Sequence, residues 1–492
     1  MGKANNGAYP HFIRRETMSK KEEKKKNLSY ESKNGYELIS DKDLKKCEEL
    51  NKAYMAFLTK AKTERESHDE AIELLEKAGF TDMEINKRNG RKIKPGDRLY
   101  YSCEGKTLMA IIAGKKPLEE GMHIVGGHTD APRLDVKQNP LYESTDVALM
   151  DTHYYGGIKK YQWLTIPLAI HGVFVKPDGK KISIAIGEDP EDPVFCITDI
   201  LPHLAADQYK NNIGTAVPGE SLDVTVGSIP SKDKDAKQKI KENLLEILNK
   251  KYSVTEEDFL SAELEVVPAA KPRDCGFDRS MILAYGHDDR VCSYTALKAL
   301  IDVKGTPEYT SVVLLCDKEE IGSVGSTGMA SNFFENASAE LLALTANEYC
   351  ELSLKRAMSN SWMLSADVNA LMDPLFPSAF EAKNASKINH GVCITKFTGA
   401  RGKAGSSDAS AEFMAHIRRI FAKNEVIWQS GELGKVDQGG GGTIAYLMAR
   451  YGMKVVDCGV GLFSMHAPQE VAGKLDIYMA YKGYNAFFMD KR

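Results

Sequence analysis

The sequence has few of the features that mark membrane, secreted or nucleic-acid-binding proteins. No uninterrupted apolar run approaches the ~18 residues that a membrane-spanning helix needs, and the first residues lack the apolar stretch of a signal peptide. The formal net charge is only −4 over 492 residues, which gives no support for binding to nucleic acid or to a membrane surface. We therefore expect a cytoplasmic protein with no nucleic-acid partner and no membrane partner.

Cysteine occurs in a pattern that argues against disulfides and thiolate metal sites. The nine cysteines are odd in number and scattered, and no Cys-x-x-Cys pair occurs. We interpret them as reduced, buried thiols. Any metal in this protein should then be held by His, Asp and Glu.

Composition and length predict a soluble enzyme of more than one domain. Hydrophobic residues make up 42% and charged residues 27% of the chain, and 492 residues exceed one ordinary domain. Residues 1–28 are polar and rich in charge, which predicts a disordered tail. Aromatic residues, prolines and a very polar stretch appear between about 140 and 265. We predict an inserted domain at 143–263 within a catalytic domain formed by 29–142 and 264–492.

Local patterns predict several elements. Ser67 and Glu70 form a capping-box pattern for a helix over 67–79. Alternating apolar residues around a turn predict β-hairpins at 99–111 and 171–186. From about 280 onward, strand-like runs alternate with helical stretches, which predicts an α/β sheet wrapped by helices. The strand-like runs are 311–316, 362–366, 392–396 and 454–458.

Five short segments place a metal-ligand residue type at the point where an apolar run ends. They are 124–130, 285–289, 315–320, 364–367 and 464–466. Ligands in α/β folds collect at the carboxyl ends of strands. Two divalent ions need a bridging carboxylate, terminal N and O ligands, and a free carboxylate that takes a proton from water. Together the five segments could supply this set.

His128 and Asp130 share one face of a strand-like segment, so His128 can bind metal while Asp130 accepts the proton of its other ring nitrogen. A surface loop with incidental polar residues is the alternative for this pair alone. Asp288 can bridge two ions with its two oxygens, and Asp289 supports it. Asp289 also has the position of an N-cap for a helix over 291–300, and both roles can hold at once.

Glu319 and Glu320 are adjacent at a strand end and should point to opposite sides. One can bind metal while the other faces the substrate as general base; an exposed acidic turn is the alternative. Asp367 and His466 each follow an apolar strand, where a cap or a satisfied buried polar group is the common meaning. As members of the set they supply one His and one terminal carboxylate per metal, in addition to the shared Asp288.

With these residues assembled, the chain resembles the M18 family of metallo-aminopeptidases, the aspartyl aminopeptidase family, and looks closest to its bacterial branch. The order and context of the motifs match from about residue 40 to the C-terminus. The motifs that carry the resemblance are Gly127-His128-Thr129-Asp130, Asp288-Asp289, Glu319-Glu320-Ile321-Gly322-Ser323, Ser365-Ala366-Asp367 and Met465-His466.

The resemblance implies a mixed-sheet α/β/α catalytic domain with two divalent metal ions, zinc first and cobalt or manganese as alternatives. It assigns His128 and Asp367 to one ion, Glu320 and His466 to the other, Asp288 to both, Glu319 as general base and Asp130 as the residue that orients His128. It also implies that the inserted domain is β-rich and forms dimers, which assemble into a dodecamer. Peptides would be the substrates.

Two further roles follow from the resemblance. The segment Leu201-Pro202-His203-Leu204 is similar to one in which a histidine reaches the active site of the neighbouring subunit, which gives His203 that role. Arg401 or Lys403 would meet the acidic side chain of a substrate with N-terminal Asp or Glu, although the spacing in this segment does not align cleanly with the family's basic residue.

Three other functions remain open from the sequence. Another two-metal exopeptidase of similar fold, such as an M42-type aminopeptidase with neutral or basic specificity, would use the same ligand order. A non-catalytic scaffold on a peptidase fold is possible because fold does not fix function. A Rossmann-type nucleotide binder has little support, since the glycines at 322–328 do not form the dinucleotide fingerprint.

Overall fold

Three β-sheets and ten α-helices are found in residues 28–399 and 401–492, the residues that the computed structural model describes. The predicted tail therefore lies outside the described residues except for Leu28. The helices are α1 Asp41–Lys60, α2 Glu64–Lys77, α3 Met83–Arg88, α4 Lys239–Tyr252, α5 His287–Ile301, α6 Phe333–Thr345, α7 Glu351–Ser359, α8 Ala411–Lys423, α9 Ala445–Ala449 and α10 Lys474–Phe488.

The strands are also numbered in chain order. They are β1 Thr81–Asp82, β2 Arg98–Cys103, β3 Thr107–Ile112, β4 Met122–His128, β5 Arg133–Ser144, β6 Val147–Tyr155, β7 Leu168–Val175, β8 Lys181–Ile186, β9 Val224–Gly227, β10 Ala262–Pro268, β11 Arg273–Cys275, β12 Met281–Ala284, β13 Thr310–Cys316, β14 Trp362–Ser365, β15 Asn369–Ala370, β16 Val392–Thr395, β17 Trp428–Ser430, β18 Lys454–Gly459, β19 Gly461–Phe463 and β20 Glu470–Gly473.

The largest sheet has nine strands in the order β1-β2-β3-β13-β4-β14-β18-β16-β17. Its centre is parallel, from β13 through β4 and β14 to β18, and antiparallel strands flank it. Alternate residues enter opposite cores: Val125 belongs to the core that includes residues of α1, α2, α5, α8 and α10, whereas Ile124 belongs to the core that includes residues of α3, α6, α7 and α9. The predicted α/β/α architecture is thus confirmed, and the four predicted strand-like runs are β13, β14, β16 and β18.

A second, six-stranded sheet has the order β8-β7-β10-β5-β6-β9 and is built from residues 133–268. It has its own hydrophobic core, to which α4 contributes. This sheet begins three residues after Asp130, earlier than the expected start of the inserted domain at 143. The role of the segment in dimerisation stays a prediction.

A third sheet, in the order β11-β12-β20-β19-β15, has five strands. It matters for the site because the turn between β19 and β20 carries His466. β12 also leads directly into α5, which begins with the segment that contains Asp288.

The two predicted hairpins are confirmed as β2–β3 and β7–β8. The predicted start of the second helix is wrong: α2 begins at Glu64, and Thr63 caps it in a capping box with Glu66. The sequence contains two consecutive Ser/Thr-x-x-Glu patterns, at 63–66 and 67–70, and the earlier one forms the cap. Ser67 then lies inside the helix, where its buried hydroxyl donates to the Thr63 carbonyl at 2.8 Å.

All nine cysteines are free thiols, as predicted, but the prediction that they are buried holds for only five of them: Cys350 is exposed, and Cys103, Cys196 and Cys275 are partly buried. Of the helices in the described ranges, none combines the length and the apolar character that crossing a membrane requires.

Candidate metal centre

The candidate site lies at the carboxyl ends of three adjacent parallel strands of the nine-stranded sheet. β4 ends at His128, β13 ends three residues before Glu319, and β14 ends two residues before Asp367. Because the carboxyl ends of parallel strands meet at one edge of the sheet, these side chains converge. The start of α5 adds Asp288 to the same place, and the turn after β19 adds His466.

Asp288 lies at the centre of this group. Its Oδ1 is 3.2 Å from Nε2 of His128, and its Oδ2 is 3.2 Å from Nε2 of His466. One carboxylate therefore presents a separate oxygen to each of two imidazoles. This is the arrangement that a carboxylate bridging two metal ions requires.

The remaining carboxylates surround this pair of histidines. Oε2 of Glu319 is 3.9 Å from Nε2 of His128, and Oε1 of Glu320 is 3.6 Å from Nε2 of His466. Asp367 groups with His128 and Glu319, with ligand atoms all within 4.8 Å of one another. The five residues predicted as ligands and the predicted base are thus brought together.

The argument that placed Glu319 and Glu320 on opposite sides of a strand is wrong. The chain leaves β13 at Cys316, and the two glutamates lie on a single 3₁₀ turn, Glu319–Ile321, after Lys318 in a left-handed conformation. Strand alternation therefore does not apply, and both carboxylates face the same cavity.

Asp130 has more partners than the sequence predicts. The Nδ1 of His128 is 3.0 Å from the Asp130 carbonyl and 3.2 Å from Oδ1 of Asp130. The carboxylate also accepts the backbone N–H groups of Glu319 and Glu320, each at 3.1 Å, and the hydroxyl of Tyr155 at 2.8 Å. Asp130 thereby fixes His128 relative to the turn that carries the two glutamates.

Glu470 is a second buried carboxylate that holds the site together, and sequence reasoning missed it. Its two oxygens accept the backbone N–H of Asp288 at 3.0 Å and of His466 at 2.7 Å. The sequence gives little indication of this role, because a lone glutamate before Val-Ala-Gly is also what the start of an ordinary strand looks like.

The electrostatics of the site favour bound cations. Burial raises the pKa of Glu319 to about 7 and raises the pKa values of Glu320 and Asp367 well above their usual range. Burial acts the same way on Asp288, but its contacts with His128 and His466 outweigh this effect and lower its pKa. The imidazoles of His128 and His466 cannot neutralise the four carboxylates of Asp288, Glu319, Glu320 and Asp367.

The donor set also fits metal ions. Oε1 of Glu320 is buried without a hydrogen-bond partner, as expected for an atom that binds a cation. Imidazole and carboxylate ligands without thiolate suit zinc and also accommodate cobalt and manganese.

The metal-ligand cluster opens into a cavity of about 430 Å³. Apart from the cluster and the buried Asp457, its wall is uncharged and includes Val368, Thr395, Thr398, Leu433, Tyr446, Met465 and the segment 440–443. Within the described ranges, no Arg or Lys lines this cavity.

The other three predicted site residues are not brought to the cluster. Arg401 is exposed, and its backbone N–H donates to the Val436 carbonyl at 2.9 Å. Lys403 is exposed as well, with its Nζ 3.2 Å from Oδ2 of Asp408. His203 is exposed on the 3₁₀ turn Pro202–Leu204 and does not line the cavity of its own chain.

Comparisons with known proteins show similarity to one enzyme family over most of the chain. Residues 57–488 match the family model described as "Aminopeptidase I zinc metalloprotease (M18)". The chain is 51% identical over 461 residues to a probable M18 family aminopeptidase 1 of Clostridium acetobutylicum. The matched region covers 94% of this chain and 99% of that relative.

Solved structures give the same result. An M18 family aminopeptidase from Thermotoga maritima superposes with a TM-score of 0.89 at 43% identity, over 94% of this chain and 100% of that one. A Saccharomyces cerevisiae structure described as an mApe1 dodecamer has a TM-score of 0.73 at 23% identity, over 90% of this chain and 97% of that one. At that identity the yeast structure shows similarity of fold alone.

Proposed function

Since the chain belongs to the M18 family of zinc metallo-aminopeptidases, we propose that it removes N-terminal residues from peptides at a centre of two zinc ions bridged by Asp288. The position of Asp288 carries this proposal, because each of its oxygens is 3.2 Å from a different histidine. His128 and Asp367 would hold one ion, and His466 and Glu320 the other. Cobalt or manganese would fit the same ligands.

When bound, the two ions would lower the pKa of a water between them and polarise the carbonyl of the scissile peptide bond. Glu319 would accept the proton of the attacking water and pass it to the leaving amine. Its carboxylate lines the cavity beside the proposed ligands, with Oε2 3.9 Å from Nε2 of His128, which is within reach of a water held there. Asp130 would hold His128 in the tautomer that leaves its Nε2 free.

The substrate's free N-terminus fits the charge of the cavity. Asp288, Glu319, Glu320, Asp367 and Asp457 all line it, so the negative charge of the carboxylates exceeds the positive charge of two divalent ions, which favours a positively charged amine. An N-acylated substrate lacks this charge. We therefore propose exopeptidase activity on free N-termini rather than deacylation.

Glu319→Gln tests the chemistry. The substitution keeps the shape of the side chain but removes the proton acceptor, so kcat should fall by about 10²–10⁴-fold while both zinc ions stay bound. Initial rates on aminoacyl-anilides and the zinc content per chain are measured together. Glu348→Gln, a substitution at an exposed site, is the control. Wild-type kcat in Glu319→Gln with two ions bound would refute the assigned role.

The enzyme could prefer either an acidic or a neutral N-terminal residue in its substrate, and the two preferences predict opposite orders of reaction rate. A preference for Asp or Glu, as the family resemblance implies, needs Arg401 or Lys403 to reach the cavity. The uncharged wall instead favours a neutral side chain. Rates on substrates with N-terminal Asp, Glu, Leu and Lys distinguish the two preferences. If the preference is acidic, Arg401→Ala or Lys403→Ala should lower the rate on the Asp substrate; if it is neutral, neither substitution should change that rate. No turnover by the two-zinc protein would favour the scaffold alternative.

We also propose that the chain acts as a homo-oligomer of dimers that assemble into a dodecamer, with His203 reaching a neighbouring active site. This proposal is supported by a surface of large exposed apolar side chains around His203, because monomeric proteins rarely expose such a surface. We call it the 194–213 surface; it consists of Val194, Ile200, Leu201, Leu204, Tyr209 and Ile213. The yeast relative described as a dodecamer has the same fold.

A further inference from the structure

We infer that residues 155–157, the turn that ends β6 of the six-stranded sheet, position ligands of both metal ions. The inference rests on the proposed two-metal site and adds residues to it that belong to a different sheet. Tyr155 acts through Asp130 on the His128 side, and Gly157 acts directly on His466. Each is a positioning residue, since neither is placed to bind metal itself.

The first contact runs through the tyrosine hydroxyl. Oη of Tyr155 donates to Oδ2 of Asp130 at 2.8 Å, while Oδ1 of the same carboxylate is 3.2 Å from Nδ1 of His128. The ring of Tyr155 is held by the guanidinium of Arg133, 3.9 Å from the ring centroid. The hydroxyl therefore fixes the rotation of Asp130, and Asp130 fixes the imidazole of His128 and the turn of Glu319 and Glu320.

The second contact is a backbone carbonyl. Nδ1 of His466 is 2.8 Å from the carbonyl oxygen of Gly157, which cannot donate a hydrogen bond. The proton must therefore lie on Nδ1, and the lone pair of a neutral imidazole lies on Nε2. That nitrogen faces Asp288 and Glu320. The carbonyl of Gly157 thereby selects the tautomer that can bind metal.

Both glycines allow the turn to approach the ligands closely. Gly156 has φ +73°, and a Cβ there would lie 3.2 Å from Oε2 of Glu320. A Cβ on Gly157 would lie 3.4 Å from Nδ1 of His466. A side chain at position 156 would press on Glu320, whereas a Cβ at position 157 would only come into van der Waals contact with His466.

The two half-sites should therefore respond differently to substitutions in the turn. Tyr155→Phe keeps the ring on Arg133 but removes the hydroxyl from Asp130, which holds both His128 and the turn of Glu319 and Glu320. The affinity of the His128 ion should therefore fall roughly 10–100-fold, and the Glu320–His466 ion should weaken as well. Gly156→Ala should instead weaken the Glu320–His466 ion alone. Tyr142→Phe is the matched control, because it removes a tyrosine hydroxyl that donates to Asp223 at 2.5 Å in the same sheet but away from the cluster.

The test is a zinc titration of metal-free wild-type protein and the three variants against a chelator of known affinity, with kcat measured at saturating zinc. We expect two sites of wild-type affinity in Tyr142→Phe, weaker binding at both sites in Tyr155→Phe, and one weakened site in Gly156→Ala. Wild-type affinities in both turn variants, or equal loss in Tyr142→Phe, would overturn the inference. Fewer than two sites in wild type would instead refute the two-metal proposal on which it rests.

Discussion

At the scale of single residues, the site depends on carboxylates that hold backbone groups as well as on those that face the cavity. Glu470 bridges the N–H groups of Asp288 and His466, which lie in segments far apart in sequence. Its position therefore fixes the distance between the bridging carboxylate and one terminal ligand.

Glu470→Ala should destabilise the protein and the metal site together. The change leaves two buried N–H groups without an acceptor, at about 1–3 kcal/mol each. Urea denaturation of the metal-free protein should show this loss, and zinc titration should show weaker binding. Glu470→Gln keeps one acceptor oxygen and should lose about half as much. Equal stability of wild type and Glu470→Ala would contradict this role.

The sequence was sufficient to predict the residues that the structure brings together in the cluster and one residue that positions them, Asp130, but not Glu470 or Tyr155. His128, Asp288, Asp367 and His466 each stand out because a polar side chain follows an apolar run. Tyr155 does not, since it lies in an aromatic-rich stretch 25 residues after Asp130 and its hydrogen bond is visible only when the six-stranded sheet folds against the site.

At the scale of elements, α2 is joined to the six-stranded sheet by a buried histidine. His171 on β7 has its Nδ1 2.7 Å from Oε1 of Glu66 on α2 and its Nε2 3.2 Å from Oε1 of Glu188, which also faces Lys62 at 3.5 Å. Burial alone would lower the pKa of His171, but the contacts with Glu188 and Glu66 outweigh it and raise the pKa to about 9.

This contact predicts a pH dependence of stability. The protonated form of His171 is favoured in the folded state, so its stabilisation is complete below pH 6.5 and is lost as the pH rises through 9. The free energy of unfolding should fall by on the order of 1–3 kcal/mol more in wild type than in His171→Gln over this window. Urea denaturation at a series of pH values measures it, and parallel curves for the two proteins would rule the contact out as the cause.

Predictions at this scale held where the pattern was local and failed where two patterns competed. The hairpins β2–β3 and β7–β8 follow from alternation around a turn. The start of α2 was wrong because Thr63–Glu66 and Ser67–Glu70 are equally good capping patterns in sequence. The prediction for Glu319 and Glu320 was wrong because it applied strand alternation beyond the predicted strand end at Cys316, where the structure has a 3₁₀ turn.

At the scale of the whole molecule, the oligomer proposal connects the 194–213 surface to catalysis. Leu204→Glu with Ile213→Glu places two charges among exposed apolar side chains and should release smaller species in sedimentation velocity. If His203 completes a neighbouring site, kcat should fall in these species while the zinc content is unchanged. Ile85→Glu, at an exposed position on α3, is the control. An unchanged sedimentation coefficient in the double variant would refute the proposed interface.

The α/β/α arrangement could be predicted at this scale because strands and helices alternate along the chain after about residue 280. The composition change between 140 and 265 indicated a separate unit, but composition has no sharp edge. The sequence therefore could not predict that the sheet begins at Arg133, immediately after the first metal segment. This short connection brings Tyr155 to the site.

The central claim is that two metal ions lie on either side of Asp288, and anomalous diffraction at the zinc edge from crystals of the zinc-loaded protein tests it most directly. Two peaks per chain are expected, one contacting His128 and Asp367 and the other His466 and Glu320, with one oxygen of Asp288 on each. A single peak, or two peaks that do not share Asp288, would contradict it.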